Sequence, residues 1–387
     1  MTSSVPPLAA SVPDRIAAAS RRPKSLGGSA PGFVSLAMGE PDGDTPTVVV
    51  DAAVRALRAG RTRYSAITGS PDLRRDVAAQ LSRRHGPALA PDNVVVTHGG
   101  SAGLAATVLA LVRPGDRVLV PEPTYSLYAD QVAMAGGEVE WLPNHPDGSL
   151  DLPRLAAAAP GARMIVLCNP VNPTGAVFTP AELRGLEEIL REHTGLYLLS
   201  DEAYGDILFD DTVFTSALTL TPVLDRVVLA GTFSKSYAMT GWRLGFVCAA
   251  TAVADRINLV HRTINGAMNT FVQDAALEAL RIPDSELREI ATAYQRRRDL
   301  VLAHLEGLDR VTLGKPRGAF YAFPRIETSL PSEELVRRFA DGGVLVRAGV
   351  EFGPSGEGHV RLSYATDEAT LDKGLHRFVD TVNALPA

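Results

Sequence analysis

Lys235 lies in an unusual setting for a lysine, within the stretch GTFSKSYAMTGWRLG (231–245) and among glycine and hydroxyl residues. A lysine that is partly removed from water loses its proton more easily and becomes a nucleophile for carbonyl groups. An exposed lysine with its charge in water is the alternative. It fits poorly because the neighbouring residues do not form a helix face. Arg243, eight positions later, offers planar donors suited to phosphate.

Three further polar segments follow apolar runs. In THGGSAGL (97–104) two glycines lead into a helix that begins near Ser101, and free N–H groups at a helix start favour an anion. A glycine turn before a helix is also common without any ligand. In CNPVNPTG (168–175), prolines on either side stiffen the loop that holds Asn172, although an ordinary asparagine turn has the same composition.

Asp201, in SDEAYGDILFD (200–210), is at the end of an apolar run. A carboxylate in such a place needs a cationic partner or becomes neutral, and for an isolated aspartate a helix N-cap is the simpler interpretation. Taken with the other segments, however, the residues describe one ligand. An aldehyde for the lysine, a phosphate for the arginine and helix start, and a ring nitrogen for the carboxylate together predict pyridoxal phosphate.

The intervening pattern predicts the elements that hold these segments. Apolar runs separated by helical segments indicate a mainly parallel sheet with helices on both faces, and ligands bind at the carboxyl ends of such strands. The helical segments include 101–112 and 180–194. We predict seven strands, at 93–97, 116–120, 138–142, 163–168, 196–200, 226–231 and 244–249.

The C-terminal part has a different pattern. A long amphipathic segment (284–308) precedes GAFYAFP (318–324), a helical stretch near 332–341 and strands near 343–347 and 358–364. This pattern predicts a smaller α+β domain. We assign residues 45–285 to a large cofactor-binding domain, and residues 1–44 and 286–387 to the small domain, since 387 residues exceed the usual size of a single core.

Composition argues against several classes of protein. The net charge is −6 with no basic stripe, which argues against nucleic acid as a partner. We find no secretory signal and no apolar run long enough to cross a bilayer. Cys168 and Cys248 both lie in apolar runs, so we expect buried reduced thiols rather than a disulfide or a metal site. These features favour a cytoplasmic protein without a metal.

The sequence resembles the fold-type I pyridoxal-phosphate enzymes and, within them, the class I/II aminotransferases of the aspartate aminotransferase superfamily. The resemblance extends from GEPDGDTP (39–46) to HVRLSYA (359–365). It includes YSAITGSPDLR (64–74), NPTG (172–175), DEAY (201–204) and SKSYAMTGWRLG (234–245), in the family's order.

The resemblance implies a role for each matching residue. Lys235 forms the internal aldimine with the cofactor and transfers protons during catalysis, Asp201 pairs with the ring nitrogen, and Tyr125 lies over the ring face. Tyr204 and Asn172 hydrogen-bond the phenolic oxygen. Gly39 and Arg361 bind the substrate's α-carboxylate. The implied phosphate site comprises Ser101, Ala102, Thr232, Ser234, Arg243 and, from the neighbouring subunit of a homodimer, Tyr64.

Three departures from the family pattern bear on the substrate. Gly43 stands where many relatives have a bulky aromatic residue, which predicts either a wider pocket or only a different loop. Ser101 stands where aspartate-using relatives of this subgroup often carry lysine. Arg262 falls near the position of an arginine that binds a distal carboxylate in other relatives, although a surface helix arginine is the simpler interpretation. The substrate side chain is therefore not predicted.

Three functions compete at this point. The full set of motifs predicts a ping-pong transamination between an L-amino acid and a 2-oxo acid. The same lysine and aspartate also serve β- or γ-elimination, cyclisation or oxidative deamination of an amino acid. A cofactor-sensing regulator is the third, but only about forty residues precede the first motif, too few for a winged helix and a linker.

Overall fold

The computed structural model describes residues 11–22 and 32–386. Its α-helices are α1 (Val12–Ala19), α2 (Thr47–Arg58), α3 (Pro71–His85), α4 (Gly100–Leu111), α5 (Leu127–Ala135), α6 (Leu152–Ala158), α7 (Pro180–Glu192), α8 (Thr251–Asn265), α9 (Thr270–Ala279), α10 (Asp284–Leu305), α11 (Ser332–Asp341) and α12 (Glu368–Ala384). Its strands are β1 (Val34–Ser35), β2 (Val94–Thr97), β3 (Arg117–Glu122), β4 (Glu138–Pro143), β5 (Met164–Cys168), β6 (Tyr197–Asp201), β7 (Val227–Thr232), β8 (Gly245–Ala249), β9 (Val311–Thr312), β10 (Tyr321–Ala322), β11 (Arg325–Ile326), β12 (Val344–Leu345), β13 (Arg347–Ala348) and β14 (Val360–Ser363).

The predicted seven-stranded sheet is confirmed. Its strand order is β2-β8-β7-β6-β5-β3-β4, and every pairing is parallel except those of β8, which is antiparallel to both β2 and β7. Each strand begins within one residue of its predicted start. The prediction succeeds because these runs are apolar throughout, as strands buried on both faces must be.

Helices cover both faces of this sheet. Along β5, Met164 and Val166 pack in one apolar cluster with residues of α4, α5 and α8. Ile165 and Leu167, which point to the opposite face, pack with residues of α6 and α7. The side chains of one strand thus anchor two helical layers, and a third cluster joins α2, α3 and α9 to β2 and β8.

The starts of two helices differ in a way that matters for the site. Thr179 caps α7, since its hydroxyl accepts from the Glu182 N–H at 3.2 Å while the Glu182 carboxylate accepts from the Thr179 N–H at 2.7 Å. Gly99 precedes α4 and has no side chain with which to cap it. The first N–H groups of α4 therefore lack the partner that those of α7 have.

The C-terminal part is a smaller α+β unit. Strands β10, β14 and β13 form an antiparallel sheet, and β1 pairs in parallel with β12. Helices α10, α11 and α12 pack on these strands through one apolar cluster. Helix α1 instead contacts α5, with the Arg15 Nε–H donating to the Ala133 carbonyl at 3.1 Å. The domain boundaries that we assigned stay a prediction.

Two findings relate to the environment of the protein. In the parts of the chain that the structure describes, no helix combines the length and the apolar character needed to cross a membrane. Cys168 and Cys248 are both buried and free, and burial raises the pKa of each thiol to about 12. Thiols with such a pKa are poor nucleophiles at neutral pH.

Candidate active site

A cavity of about 280 Å³ opens at the carboxyl ends of the parallel strands. Strands β5, β6 and β7 end beside it, and the segments that follow them carry the polar residues singled out in the sequence. The C-terminal part closes the opposite side. Of the predicted site residues, the following line this one cavity: Gly39, Ser101, Tyr125, Asn172, Asp201, Tyr204, Thr232, Ser234, Lys235, Arg243 and Arg361.

Lys235 follows the end of β7 and points its amine into the cavity. Its Nζ donates to the Gly39 carbonyl oxygen at 2.7 Å and lies 5.8 Å from the centroid of the Phe320 ring. Burial lowers the pKa of Lys235 from 10.5 to about 8. An amine with such a pKa is readily deprotonated near neutral pH, which both nucleophilic attack and proton transfer require.

Asp201 is the last residue of β6 and is buried. The Tyr128 hydroxyl donates to its Oδ2 at 2.8 Å, and the Ala203 N–H donates to its Oδ1 at 3.2 Å. Burial raises the pKa of Asp201 to about 6, against the lowering effect of the Tyr128 hydrogen bond. A cation placed beside this carboxyl group would favour its charged form.

One end of the cavity is an anion site. Ser101 belongs to the uncapped first turn of α4, where the N–H groups of residues 100–102 face no intrahelical acceptor. The Thr232 hydroxyl donates to Ser234 Oγ at 2.9 Å and accepts from the Ser234 N–H at 3.1 Å. Arg243 adopts φ 53°, a left-handed conformation that is uncommon outside glycine and concentrates at functional sites.

The glycine before α4 is required by this arrangement. Gly99 has φ +78°, and a Cβ built on it would lie 2.6 Å from Nη2 of Arg243. A side chain at this position would therefore push the guanidinium away from the helix start. The hydroxyls, the free N–H groups and Arg243 together suit a phosphate.

The opposite end holds Arg361, whose guanidinium is buried. Its Nη1 donates to Asn172 Oδ1 at 3.2 Å and its Nη2 donates to the Ala37 carbonyl at 2.5 Å, while its Nε has no hydrogen-bond partner. Among the described residues, no carboxylate lies within salt-bridge distance of it. The cation is therefore placed to receive a carboxylate from outside the chain.

Two aromatic rings fix the plane of that guanidinium. The Arg361 Cζ lies 4.6 Å from the centroid of the Tyr321 ring and 5.0 Å from that of Phe352. The Tyr321 hydroxyl is 2.9 Å from the Tyr204 hydroxyl, so the same ring touches both sides of the cavity. Such stacking leaves the two outward N–H groups of an arginine in a fixed geometry.

Gly39 permits the approach of these two sides. A Cβ at this position would lie 2.1 Å from the Tyr321 hydroxyl oxygen, so any larger residue would displace that ring. Its carbonyl is also the acceptor for Lys235.

The structure does not bring every predicted residue to the cavity. The Ala102 side chain is not among the lining groups, although its backbone N–H belongs to the first turn of α4. Tyr64 is 97% exposed and lies outside the cavity. Gly43 is exposed with no atom within 4 Å of a built Cβ, and Arg262 is exposed on α8. Neither of these two residues contacts the cavity of this chain.

Sequence reasoning missed several lining or supporting residues. Tyr128 and Tyr321 supply hydroxyls to Asp201 and Tyr204. Arg347 lines the cavity and forms a buried ion pair with Glu351. No local pattern distinguishes these residues from ordinary aromatic and charged positions. They lie in the segments YSLYAD (125–130), GAFYAFP (318–324) and VRAGVEF (346–352), and only the fold brings these segments next to site residues.

These residues fit pyridoxal phosphate. Lys235 offers an amine to its aldehyde, Asp201 a carboxyl to its ring nitrogen, and the anion site of α4 and Arg243 a place for its phosphate. The partnerless Nε of Arg361 and the absence of a paired carboxylate leave a cation for the substrate. The amine, the carboxyl and the phosphate-binding groups thus meet within one cavity.

Comparisons with known proteins agree with this chemistry. A family model for aminotransferase class I and II matches residues 31–378. The aspartate/prephenate aminotransferase of Thermus thermophilus is 36% identical over 355 residues, covering 89% of this chain and 90% of that protein. The aspartate aminotransferase of Pyrococcus horikoshii is 34% identical over 352 residues, covering 89% of each. The solved aromatic aminotransferase from Pyrococcus horikoshii has a TM-score of 0.89 at 32% identity, covering 97% of this chain and 99% of that one.

Proposed function

The chain belongs to the class I and II aminotransferases, and from that premise we propose which of its residues perform each part of the reaction. The protein is a transaminase that depends on pyridoxal phosphate. The named relatives do not favour elimination, cyclisation or oxidative deamination. The observation that carries the proposal is the meeting, in one cavity, of the Lys235 amine, the Asp201 carboxyl and the unpaired Arg361 guanidinium.

Lys235 holds the cofactor and then moves the proton. When bound, pyridoxal phosphate supplies an aldehyde that condenses with amines and a ring that accepts electrons. The Nζ atom would bind that aldehyde, and once a substrate amine had taken its place the Lys235 amine would accept the proton from the substrate's α-carbon. The Gly39 carbonyl, 2.7 Å away, keeps the amine directed into the cavity.

Asp201 and the anion site hold the two ends of the cofactor. Asp201 would pair with the ring nitrogen, and the Tyr128 hydroxyl and the Ala203 N–H hold its carboxylate in place. Tyr125 would pack against the ring, and Tyr204 and Asn172 would hydrogen-bond its phenolic oxygen; all three line the cavity. The phosphate is bound by Ser101, the N–H of Ala102, Thr232, Ser234 and Arg243.

Arg361 binds the α-carboxylate of an L-amino acid in a bidentate manner. Its partners, the Asn172 amide and the Ala37 carbonyl, orient the fork without neutralising it. Gly39 lets the chain pass close to that carboxylate. The donor and the acceptor are thus an amino acid and a 2-oxo acid, since both carry the carboxylate that this cation recognises.

The experiment follows the cofactor absorbance of the purified protein while amino acids are added one at a time. Aspartate, glutamate and the aromatic amino acids come first because of the names of the relatives. Conversion to the aminated cofactor, reversed by a 2-oxo acid, supports the proposal and identifies the donor. Product formation without reversal by any 2-oxo acid contradicts it.

We also infer a homodimer in which Tyr64 of one copy reaches the phosphate site of the other. The support is that Tyr64 is 97% exposed and is not among the residues that line its own chain's cavity. Mixing Tyr64→Ala and Lys235→Ala chains tests this. In mixed dimers one site regains both residues, so about a quarter of the wild-type activity should return after subunit exchange. Tyr64 acting within its own chain would give no recovery.

We infer a cytoplasmic location, supported by two cysteines that are buried and free rather than paired. Fractionation of the source cells tests this, and activity recovered outside the cytoplasmic fraction would contradict it.

A further inference from the structure

Two histidines and an aspartate converge on the surface of the C-terminal part, away from the catalytic cavity. His304 is in the last turn of α10, and Asp372 and His376 are one turn apart on α12. The His304 Nε2 is 2.8 Å from Asp372 Oδ1, and the His376 Nε2 is 3.6 Å from Asp372 Oδ2. One ligand atom from each of the three residues lies within 4.8 Å of the other two.

A hydrogen bond between helices explains only part of this arrangement. It accounts for His304 and Asp372, which are at hydrogen-bond distance. It does not account for His376, whose Nε2 is 3.6 Å from the same carboxylate and whose ring meets that of His304 edge-on, with the ring centroids 4.7 Å apart. Glu368, one turn earlier on α12, is paired with Arg296 instead.

The spacing of the three ligand atoms is close to the one that a metal needs. In a tetrahedral zinc site with bonds of 2.0–2.1 Å, neighbouring ligand atoms are about 3.3 Å apart. The two histidine nitrogens lie 2.8 Å and 3.6 Å from different oxygens of Asp372. One ligand atom from each of the three residues lies within 4.8 Å of the other two, so rotation of these side chains can close them onto one ion. Imidazole nitrogen and carboxylate oxygen are ligands that zinc accepts.

Exposure favours binding from solution. The His304 side chain is 14% exposed and so is held by its surroundings, while those of Asp372 and His376 are 46% and 68% exposed. A metal can therefore reach the site without any change in the core, and water can complete its coordination.

We propose that His304, Asp372 and His376 bind a zinc-type divalent transition-metal ion, with water as the fourth ligand. The ion ties the C-terminal end of α10 to α12. It stabilises the folded state by mass action, since the three ligands meet only when these helices are packed together. The site takes no part in amino-group transfer.

Calorimetric titration with zinc chloride tests the proposal on the cofactor-loaded enzyme, after chelator treatment and at pH 7.5. We expect one zinc ion per chain in the wild type. The variants His304→Ala and His376→Ala should each bind zinc much more weakly. Loss of a residue that only supports a metal ligand weakens binding by about 10- to 100-fold, and loss of a ligand itself should weaken it by more than that. His145→Ala removes an exposed histidine elsewhere on the surface and is the control.

Two further readouts separate this site from incidental binding. Cobalt(II) should give the visible absorption of a tetrahedral site in the wild type and in the control, but not in the two variants. Zinc should raise the melting temperature of the wild type and of the control, but not that of the two variants. The absence of zinc binding, or zinc binding that either variant retains unchanged, would overturn the proposal. Transaminase activity should be unchanged in both variants.

Discussion

The cavity has two sides that come from different parts of the chain and hold their charged groups in different ways. On the sheet side, at the ends of β6 and β7, burial moves the pKa of Asp201 up to about 6 and that of Lys235 down to about 8. On the C-terminal side, Arg361 is also buried, but its guanidinium stays charged near neutral pH because arginine does not lose its proton in proteins.

The difference divides the work of the site. The sheet-side groups have protonation states that change easily, which suits proton transfer and pairing with a ring nitrogen. The Arg361 guanidinium is stacked on Tyr321 and Phe352 and hydrogen-bonded to uncharged oxygens. It thus offers a fixed charge of fixed orientation. We therefore expect sheet-side substitutions to act on kcat and C-terminal-side substitutions to act on KM.

The largest effect should come from Lys235→Ala. It removes both the atom that binds the cofactor aldehyde and the base that moves the proton, so kcat should fall by more than about 10⁴-fold. Steady-state kinetics with the best amino-acid donor measure this. Lys373→Ala, at an exposed lysine of α12, is the control and should keep full activity. A Lys235→Ala enzyme with more than a hundredth of wild-type kcat would contradict the assignment.

Asp201→Asn should have the second-largest effect, a loss of about 10²- to 10³-fold in kcat with little change in KM. The neutral amide has nearly the same shape but cannot stabilise a charge on the ring nitrogen, so the electrostatic contribution is lost. A rise in KM with kcat unchanged would show instead that Asp201 acts on substrate binding. The comparison between the two sides would then fail at this residue.

Arg361→Lys tests the other side. Lysine keeps the charge but loses the planar fork and the stacking on Tyr321 and Phe352. A hydrogen bond to a charged group is worth about 1.5–3 kcal/mol, so losing one of two should lower kcat/KM by about 10- to 100-fold, mainly through KM. The same measurements on Asp201→Asn provide the contrast. A change confined to kcat would place Arg361 with the proton-transfer groups.

A matched pair of glycines tests the junction of the two sides. Gly39→Ala places a Cβ 2.1 Å from the Tyr321 hydroxyl oxygen, so the ring must move and carry Arg361 with it. We expect a loss of about tenfold in kcat/KM because small displacements of positioning groups are costly. Gly43→Ala meets no atom within 4 Å and should keep activity within about twofold. Equal losses in both variants would show that Gly43 borders the substrate after all.

The same contrast separates what the sequence could predict from what it could not. The sheet side was predictable because Asp201 and Lys235 lie at or shortly after the ends of continuous apolar runs, and parallel strands end at one edge. Their residue types, taken together with the other polar segments, therefore pointed to one ligand. The C-terminal side has strands of two to four residues, too short to show a period, and Arg361 was identified only by family resemblance.

Residues that act through distant partners were the hardest to predict. Tyr321 contacts Tyr204, 117 positions earlier, and Tyr128 contacts Asp201, 73 positions later. Their neighbours in sequence do not indicate that the hydroxyl, rather than the ring, matters. Ala102 was hard to predict for a different reason. Only its backbone N–H is suited to the anion site, and the identity of its side chain does not indicate that.

Tyr128→Phe should have the smallest effect, and it sharpens the account of the sheet side through pH. In the cofactor-free protein the Asp201 pKa is raised from 3.8 to about 6 by burial, while the Tyr128 hydrogen bond keeps it from rising further. A raised carboxyl pKa contributes stability at low pH that is lost as pH rises through the interval between the unfolded and folded pKa.

The variant should extend that loss to higher pH. At pH 5 the folded carboxyl is mostly protonated in both proteins and the unfolded chains ionise alike, so the difference between the proteins is mainly the weaker neutral hydrogen bond. Above pH 6 the carboxylate also lacks its charged hydrogen bond, and the stability gap to the wild type should grow by about 1 kcal/mol. Urea unfolding of the cofactor-free proteins at pH 5 and pH 8 measures the two gaps. Equal gaps would mean that Tyr128 contributes packing alone and that its hydrogen bond does not affect the pKa of the Asp201 carboxyl.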